Sequence, residues 1–426
     1  MIAPGSFDDA APGAAEPDGP PPDCDVLIVG GGPTGLFLAA LLVRRGVSVL
    51  VLECRTAPST HSRAIGLHPP ALSALREVGL DDAAIAAGVR LRGGSARGRR
   101  GELGRLRFEG AWPHRPFVLS LPQSRTEELL EGRLAEFAPG TLQRGWEVTG
   151  LREIGDRIEV TARHTAPGDA GAPVVHRRAR MLVGADGSHS RVRELLGVPT
   201  TRTTYPDTYL MGDAADPDGD GEDREGFIHL DPDGVVESFP LPGGLRRWVV
   251  HTGSAHAGAH SGRYRSADPS PAALAEIVRS RTKVRIDTTA IRMISAFTVH
   301  RRTARHLLTG RCMLIGDAAH EISPIGGQGI SLGWLDAYDL APLIPQTVTS
   351  KFSGTLRGSR EWLQFEKTCQ RRARTARLLA HLNMALGRPL AEPLSSLRGL
   401  AVRAALHSPV RRVMARAYSM AWVRTR

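Results

Sequence analysis

The chain has 426 residues, 41% of them apolar and 47 of them glycine, enough to bury a large core and to divide into two interleaved domains. Its formal net charge is +11, but all except three of its 55 basic residues are Arg, dispersed along the chain without any nucleic-acid motif, which argues against a dedicated nucleic-acid module. The four cysteines, Cys24, Cys54, Cys312 and Cys369, form no C-x-x-C pair and no secreted framework, so the expectation is free thiols in the reducing cytoplasm and no metal site.

Residues 1–23, rich in Pro, Ala, Gly and Asp, lack the basic start and apolar middle of a signal peptide and read as a disordered tail. No apolar stretch approaches the ~20 residues that span a bilayer. Order is expected from Asp25. Val26 to Val29 reads as a buried strand, Gly30 to Gly35 as a tight turn, Leu36 to Arg45 as a helix closed by Gly46, and Val47 to Leu52 as a second strand ending at Glu53. This is a βαβ unit carrying G-x-G-x-x-G at Gly30, Gly32 and Gly35 and an acid 18 residues later. The first glycine makes the turn, the second admits a pyrophosphate, the third lets helix approach strand, and the acid takes a ribose hydroxyl.

After His61-Ser62-Arg63-Ala64-Ile65-Gly66-Leu67, an amphipathic helix is expected near Pro70 to Val78. Residues 88–125 read as strands and loops, and Pro122-Gln123-Ser124-Arg125 leads into a helix over Thr126 to Phe137, where Gln123 is a cap or a contact. Strands over Arg157 to His164 and Val174 to Leu182 deliver the chain to Ala185-Asp186-Gly187. The short helix from Ser190 to Leu196 carries Arg191 and Arg193, which hold phosphate or form a solvated face.

Residues 200–299 alternate short apolar runs with polar loops, as an inserted sheet would. Within it Phe227, His229, Phe239 and Trp248 are pocket candidates or plain core. The run Asp216 to Gly221 imitates a calcium loop, but Phe227 stands where a bidentate Glu is needed. His251, His256 and His260 are expected in an exposed loop. Next comes Arg311 to Asp339. Met313 to Ile315 reads as a strand ending at Gly316-Asp317, and the turn from Pro324 through Gly327-Gln328-Gly329 opens a helix. A carboxylate there can accept from hydroxyls, while backbone amides at a helix start favour negative charge.

Taken together, the βαβ fingerprint, the SRAIGL and PQSR segments, the DG pair at Asp186-Gly187 and the GD pair at Gly316-Asp317 resemble the single-component FAD-dependent aromatic hydroxylases, over roughly residues 25–385. The resemblance implies an α/β fold of the para-hydroxybenzoate hydroxylase type, a Rossmann-like FAD-binding domain with an inserted β-sheet substrate domain and a C-terminal helical segment. It implies FAD, NADPH or NADH as reductant, and O2 delivered to an electron-rich small molecule through a flavin C4a-hydroperoxide. It carries over Gly30, Gly32, Gly35, Glu53, Arg63, Gln123, Asp186, Gly187, Asp317, Gly327, Gln328 and Gly329 as cofactor contacts, with Pro324 backing the ring. The expected division is a tail at 1–23, FAD-binding parts at 24–90, 122–199 and 300–345, substrate-domain parts at 91–121 and 200–299, and C-terminal helices at 346–426. Those helices read as a cover on the FAD domain, or as a basic tail touching membrane. Two departures from the family pattern are Ser331, commonly Asn, and the early helix break at Pro342 and Pro345. They leave open a dehydrogenase, or a scaffold whose FAD does no redox chemistry. The partners implied are a small molecule and O2, with oligomeric state open.

Overall fold

The structure is a computed structural model that describes residues 22–59, 64–112, 115–165, 172–216, 225–254, 269–349 and 355–423. Residues 1–21 of the expected tail, Arg63, residues 217–221 of the acidic run, His256 and His260 lie outside the described residues.

The chain opens with β1 (Cys24–Val29), α1 (Pro33–Val43) and β2 (Val49–Glu53), the two strands parallel and Leu36 to Leu42 all buried. Pro33 presets the first turn of α1, and Gly46, at φ 75°, turns the chain out of it. Next are β3 (Gly66–Leu67), α2 (Pro69–Leu75), α3 (Asp81–Ala87), β4 (Val89–Leu91), β5 (Gly93–Gly98), β6 (Gly101–Arg107), β7 (Val118–Ser120) and α4 (Gln123–Phe137). There follow β8 (Leu142–Arg144), β9 (Trp146–Ile154), β10 (Arg157–His164), β11 (Val174–Gly184) and α5 (Arg191–Leu195). The middle of the chain is β12 (Thr200–Ala215), β13 (Gly226–Asp231), β14 (Gly234–Leu241), β15 (Leu245–Ser254), α6 (Pro271–Thr282) and β16 (Met293–Ala304). It ends with β17 (Leu308–Thr309), β18 (Cys312–Leu314), β19 (His320–Glu321), α7 (Gly329–Leu340), α8 (Ile344–Thr349), α9 (Arg360–Gly387), α10 (Leu394–Leu406) and α11 (Val410–Tyr418).

This is an α/β fold built on two large sheets. The first runs β17-β18-β11-β1-β2-β8, parallel from β18 to β8, with β10 and β9 added antiparallel beside β11. The second runs β19-β16-β12-β15-β14-β13-β5-β6 and is antiparallel except where β13 meets β5. A small sheet, β3-β7-β4, stands apart from both. Among the described residues no helix is long and apolar enough to cross a membrane.

Successive strand residues point to opposite faces, so the second sheet has two distinct sides. On one, Tyr209, Met211, Val249 and Val299 pack with Ile325 and Met384. On the other, Leu210, Val236, Trp248 and Val250 pack under Leu274, Ile277 and Val278 of α6. The sequence reading had no helix in this region. Its signal was the i, i+3, i+4 spacing of those three α6 residues.

The 28 residues of α9 extend about 42 Å. Trp362, Phe365 and Cys369 sit in the core of the first sheet, and Met384 reaches the second. The last two helices meet the expectation only in part: α10 lies along β6 at the far edge of the second sheet, whereas α11 touches β6 and also offers its Ala417 carbonyl to Gln328 before α7, with Met420 and Val423 packed on Leu332 and Leu335. Gly104 of β6, at φ 152°, has no side chain where Leu406 packs, so the helix closes over an edge strand.

Candidate functional site

The three fingerprint glycines are glycine for three different reasons. A β-carbon on Gly30, at φ 108°, would collide with the Ala185 carbonyl, and one on Gly35 would overlap the carbonyl of Gly30. One on Gly32 would meet nothing within 4 Å. The first and third glycines are thus demanded by the protein's own packing, while the second borders open space. That space lies at the start of α1, which has no side-chain cap. Uncapped amides at a helix start carry partial positive charge and hold an anion.

Glu53 closes β2 and is 4% exposed. Its carboxylate accepts from the Gly31 amide at 2.6 Å and from the Arg55 backbone and Nε at 2.8 and 2.9 Å. Burial pushes Glu53 up, but these bonds outweigh it and hold the group below the usual carboxylate range. Arg55 also reaches Glu127 at 3.7 Å, and Glu127 accepts from Gln123 Nε2 at 2.8 Å. The Gln123 amide donates to Ala64 O at 3.0 Å, so α4 begins beside the segment that contained the predicted Arg63.

At the DG turn, Asp186 accepts from Ser190 Oγ at 2.5 Å and from the Val192 amide at 3.0 Å, and Ser190 accepts from the Arg193 amide at 3.0 Å. Both carboxylate oxygens of Asp186 therefore organise the start of α5. Gly187, at φ 80°, completes the turn. Arg193 belongs to neither of its expected settings. It is 3% exposed, and its guanidinium donates to Ala318 O at 2.8 Å and Ser188 O at 2.9 Å, tying the DG turn to the GD turn 125 residues away. Arg191 is exposed and pairs with Glu194.

Asp317 remains open to solvent although protein surrounds it, and that confinement pushes it up to about 6, with His320 lowering it and Glu321 raising it. Beneath it lies a pair that sequence reasoning missed. His320 Nε2 is 2.5 Å from Asp336 Oδ2, which also accepts from the Gly316 amide at 3.1 Å, so α7 grips the GD turn from below. Gly316 and Gly333 both abut Thr34, and Trp334 Nε1 donates to Pro33 O at 3.0 Å, bringing α7 alongside the start of α1. The only signal in the sequence was the acid one helical face along from the motif.

Pro324 is exposed, Gly326 and Gly327 take φ 100° and 66°, and Gly329 opens α7 with no side-chain cap. Gln328 Nε2 is turned toward Ala417 O at 3.3 Å, leaving its buried Oε1 without a partner. Ser331 serves His68: its Oγ accepts from the His68 amide and lies 3.2 Å from Nδ1. Burial pushes that imidazole down to about 4, so it stays neutral.

Strand parity divides the pocket candidates. Phe227 and Trp248 pack edge to face under α6, and Trp248 is 1% exposed. His229 shares the Phe227 side. These three lie on the face turned away from Ile325, because burial alone does not reveal which side of a strand faces which neighbour. Phe239, two residues beyond Glu237 on β14, is half-buried on the Ile325 side. His251 is buried, not exposed, with Nε2 3.2 Å from Asp207 and its ring edge-on to Tyr209. Sequence reading passed over Glu237, a lone acid inside the apolar strand of residues 234–241.

A family profile described as FAD binding domain matches residues 23–357. The chain belongs to this FAD-binding family. It is 36% identical over 344 residues to a 6-methylpretetramide 4-monooxygenase of Streptomyces rimosus, covering 75% of this chain and 56% of that protein. The chain thus spans less than two thirds of that relative. An anhydrotetracycline hydroxylase from Streptomyces rimosus superposes with TM-score 0.73 at 28% identity, over 94% of this chain and 76% of that one. A Diels–Alderase of pyrroindomycin biosynthesis shares the fold of this family member with TM-score 0.71 at 24% identity, over 93% of this chain and 80% of that one.

Proposed function

We propose that this protein is an FAD-dependent monooxygenase that uses NADPH or NADH to place one oxygen atom of O2 on an aromatic or other electron-rich small molecule. The observation that carries the proposal is solvent-open Asp317 on a turn whose Gly316 packs, together with the second turn of α7, against the uncapped start of α1, while α7 itself begins without a side-chain cap. Such a cradle offers amides to a pyrophosphate, a carboxylate to a polyol chain and a second set of amides to an electron-poor ring. FAD has these three parts in that order, so the residues present fit it. The FAD-binding part is assigned to residues 24–90, 122–199 and 300–345, and the substrate part to 91–121 and 200–299, with β16 crossing the last boundary.

When bound, FAD supplies the electron transfer from nicotinamide to oxygen. The chain's own groups do the rest. Gly32 leaves room for the pyrophosphate at the α1 amides, and Glu53, held by Gly31 and Arg55, is aligned for a ribose hydroxyl. Asp317 would take the ribityl hydroxyls, and Pro324 and Gly327 through Gly329 would hold the ring, where the α7 start favours negative charge. Ala185 and Asp186 form the wall against which Gly30 turns, Gln123 adjoins the Glu53 cluster through Glu127 and Arg55, and Arg63 is assigned as a cofactor contact on the family resemblance alone. The second sheet would roof the ring and exclude water, which strengthens each electrostatic contact inside.

The same fold in a Diels–Alderase means that fold alone does not choose the chemistry. The test is an incubation of purified protein with NADPH or NADH, 2-naphthol as a phenolic probe and ¹⁸O2. Expected are about one FAD per chain and a product heavier by one ¹⁸O atom, formed only when reductant is present. Conversion without reductant or oxygen, or a product without the label, rejects the monooxygenase reading.

A further inference from the structure

Three carboxylates border the Ile325 side of the second sheet, and two of them are neutralised. Asp213 is held by Arg247 through bonds of 2.7 and 2.8 Å. Asp207 accepts from Arg388 at 2.8 Å and lies 3.2 Å from His251. Glu237, in the row between them, has neither a hydrogen-bond nor an ionic partner among the described residues.

The position of Glu237 makes that absence costly. It is 6% exposed, and its cross-strand neighbours are Ile228 and Val249, with Met211 next in the row. A buried carboxyl without a partner is unfavourable whether it stays neutral or ionises. No contact within the sheet calls for an acid at this point. The hydroxyl of Tyr209, buried on the same side, also lacks a partner. Burial first, and then the charge of Glu237, push the phenols of Tyr209 and Tyr418 up. An unmet polar demand is therefore concentrated at one point of a wall that is otherwise Met211, Val249, Phe297 and Ile325. Ile325 directly follows Pro324, so this wall faces the proposed ring site.

We propose that Glu237 is the substrate anchor: a flat, uncharged ring system lies against Met211, Val249 and Ile325 and donates a hydroxyl hydrogen bond to the Glu237 carboxyl, which repels anionic ring acids. The assignment rests on the reading above in taking this side of the sheet as the substrate side. It explains why an acid with no structural partner occupies the middle of an apolar strand. It also names what the substrate must carry, a hydrogen-bond donor, and what it must lack at that point, a carboxylate.

Calorimetric titration of the FAD-loaded protein with 2-naphthol, 2-methoxynaphthalene and 2-naphthoate tests it without turnover. Naphthol should bind at least about tenfold more tightly than its methyl ether, which offers no donor, and than the naphthoate. Glu237→Leu should bring naphthol and its ether within about twofold of each other at undiminished FAD absorbance, since only the acceptor is gone. Glu237→Gln, which keeps an acceptor but loses the charge, should keep part of the naphthol preference and stop rejecting naphthoate. Equal binding of naphthol and ether by the wild type overturns the proposal, as do tightest binding of naphthoate, no binding of any of the three, or an unchanged ratio in Glu237→Leu. If the Leu variant does not fold, the three-ligand comparison on the wild type decides. A naphthol preference in a protein that never incorporates ¹⁸O would reject the monooxygenase reading and leave the anchor standing.

Discussion

Glu237 shows how a single residue can cost the fold something that only a ligand repays. Burial pushes its carboxyl from 4.5 up to about 7. A group whose folded pKa is raised binds its proton more tightly when folded, so the wild type loses stability as pH rises from about 4.5 to about 7 and is level above that. Glu237→Gln removes this loss. Urea unfolding should therefore find the variant about equal to wild type near pH 4.5 and more stable at pH 8 by roughly 2–3 kcal/mol. A difference that does not change with pH would mean the group is not held in the apolar setting described. The fingerprint glycines give a second contrast at this scale. Gly32→Val points into open space at an extended backbone, φ −82°, so the fold should survive while bound FAD is lost. Gly35→Ala drives a methyl into the Gly30 carbonyl and should lower the melting temperature itself. Retention of full FAD absorbance by Gly32→Val would remove the assignment of the fingerprint.

Between elements, the decisive bond is the one from α7 to the GD turn. Burial works against charge on His320, but Asp336 outweighs it and holds the imidazole above its ordinary value, while Asp336 itself is held below. Asp336→Ala leaves the buried His320 ring and the Gly316 amide without their shared acceptor. The expected loss is about 3–5 kcal/mol in chemical unfolding, accompanied by weaker retention of FAD because Asp317 rides on that turn. Unchanged stability would show the pair to be incidental. Much of this scale was legible in advance: β1, α1 and β2 follow from apolar period, a proline at the helix start and a glycine past its end. The helix break predicted from Pro342 and Pro345 appears as the gap between α7 and α8. Helix α6 was only faintly legible, because the helical spacing of Leu274, Ile277 and Val278 gives an apolar face just three residues wide.

Across the whole molecule, α9 joins the two sheets. Met384, 1% exposed, is one of its contacts with the second sheet, beside His381 against Tyr205 and Gly387 against Val235, whereas Leu382 is 49% exposed on the opposite side of the same helix. Met384→Ala should cost about 2–5 kcal/mol, the range for emptying a packed site. Leu382→Glu should change stability by no more than about 0.5 kcal/mol. Thermal and urea unfolding of the two variants side by side is the check, and equal effects would contradict the description of α9 as a strap with one working face. Leu378, Leu386, Leu394, Leu397 and Leu400 are exposed like Leu382.

What the amino-acid order determined by itself is the chemistry that is local in the chain. A glycine that borders a turn, an acid at a strand end and amides at a helix start need only their neighbours to take shape, so Gly30, Gly32, Gly35, Glu53 and the Gly316-Asp317 turn were readable together with the family they mark. Only the tertiary structure decided what depends on the far side of an element. Strand alternation says that Phe227 and Ile228 point opposite ways, but which of them faces Ile325 was decided by α6 closing over the other face. The same holds for Arg193, whose partner lies 125 residues along, and for the grip of Asp336 on Gly316. Glu237 could be seen in the sequence as an acid among apolar residues, but its lack of a partner is a property of every chain segment packed around it, and no local pattern encodes that.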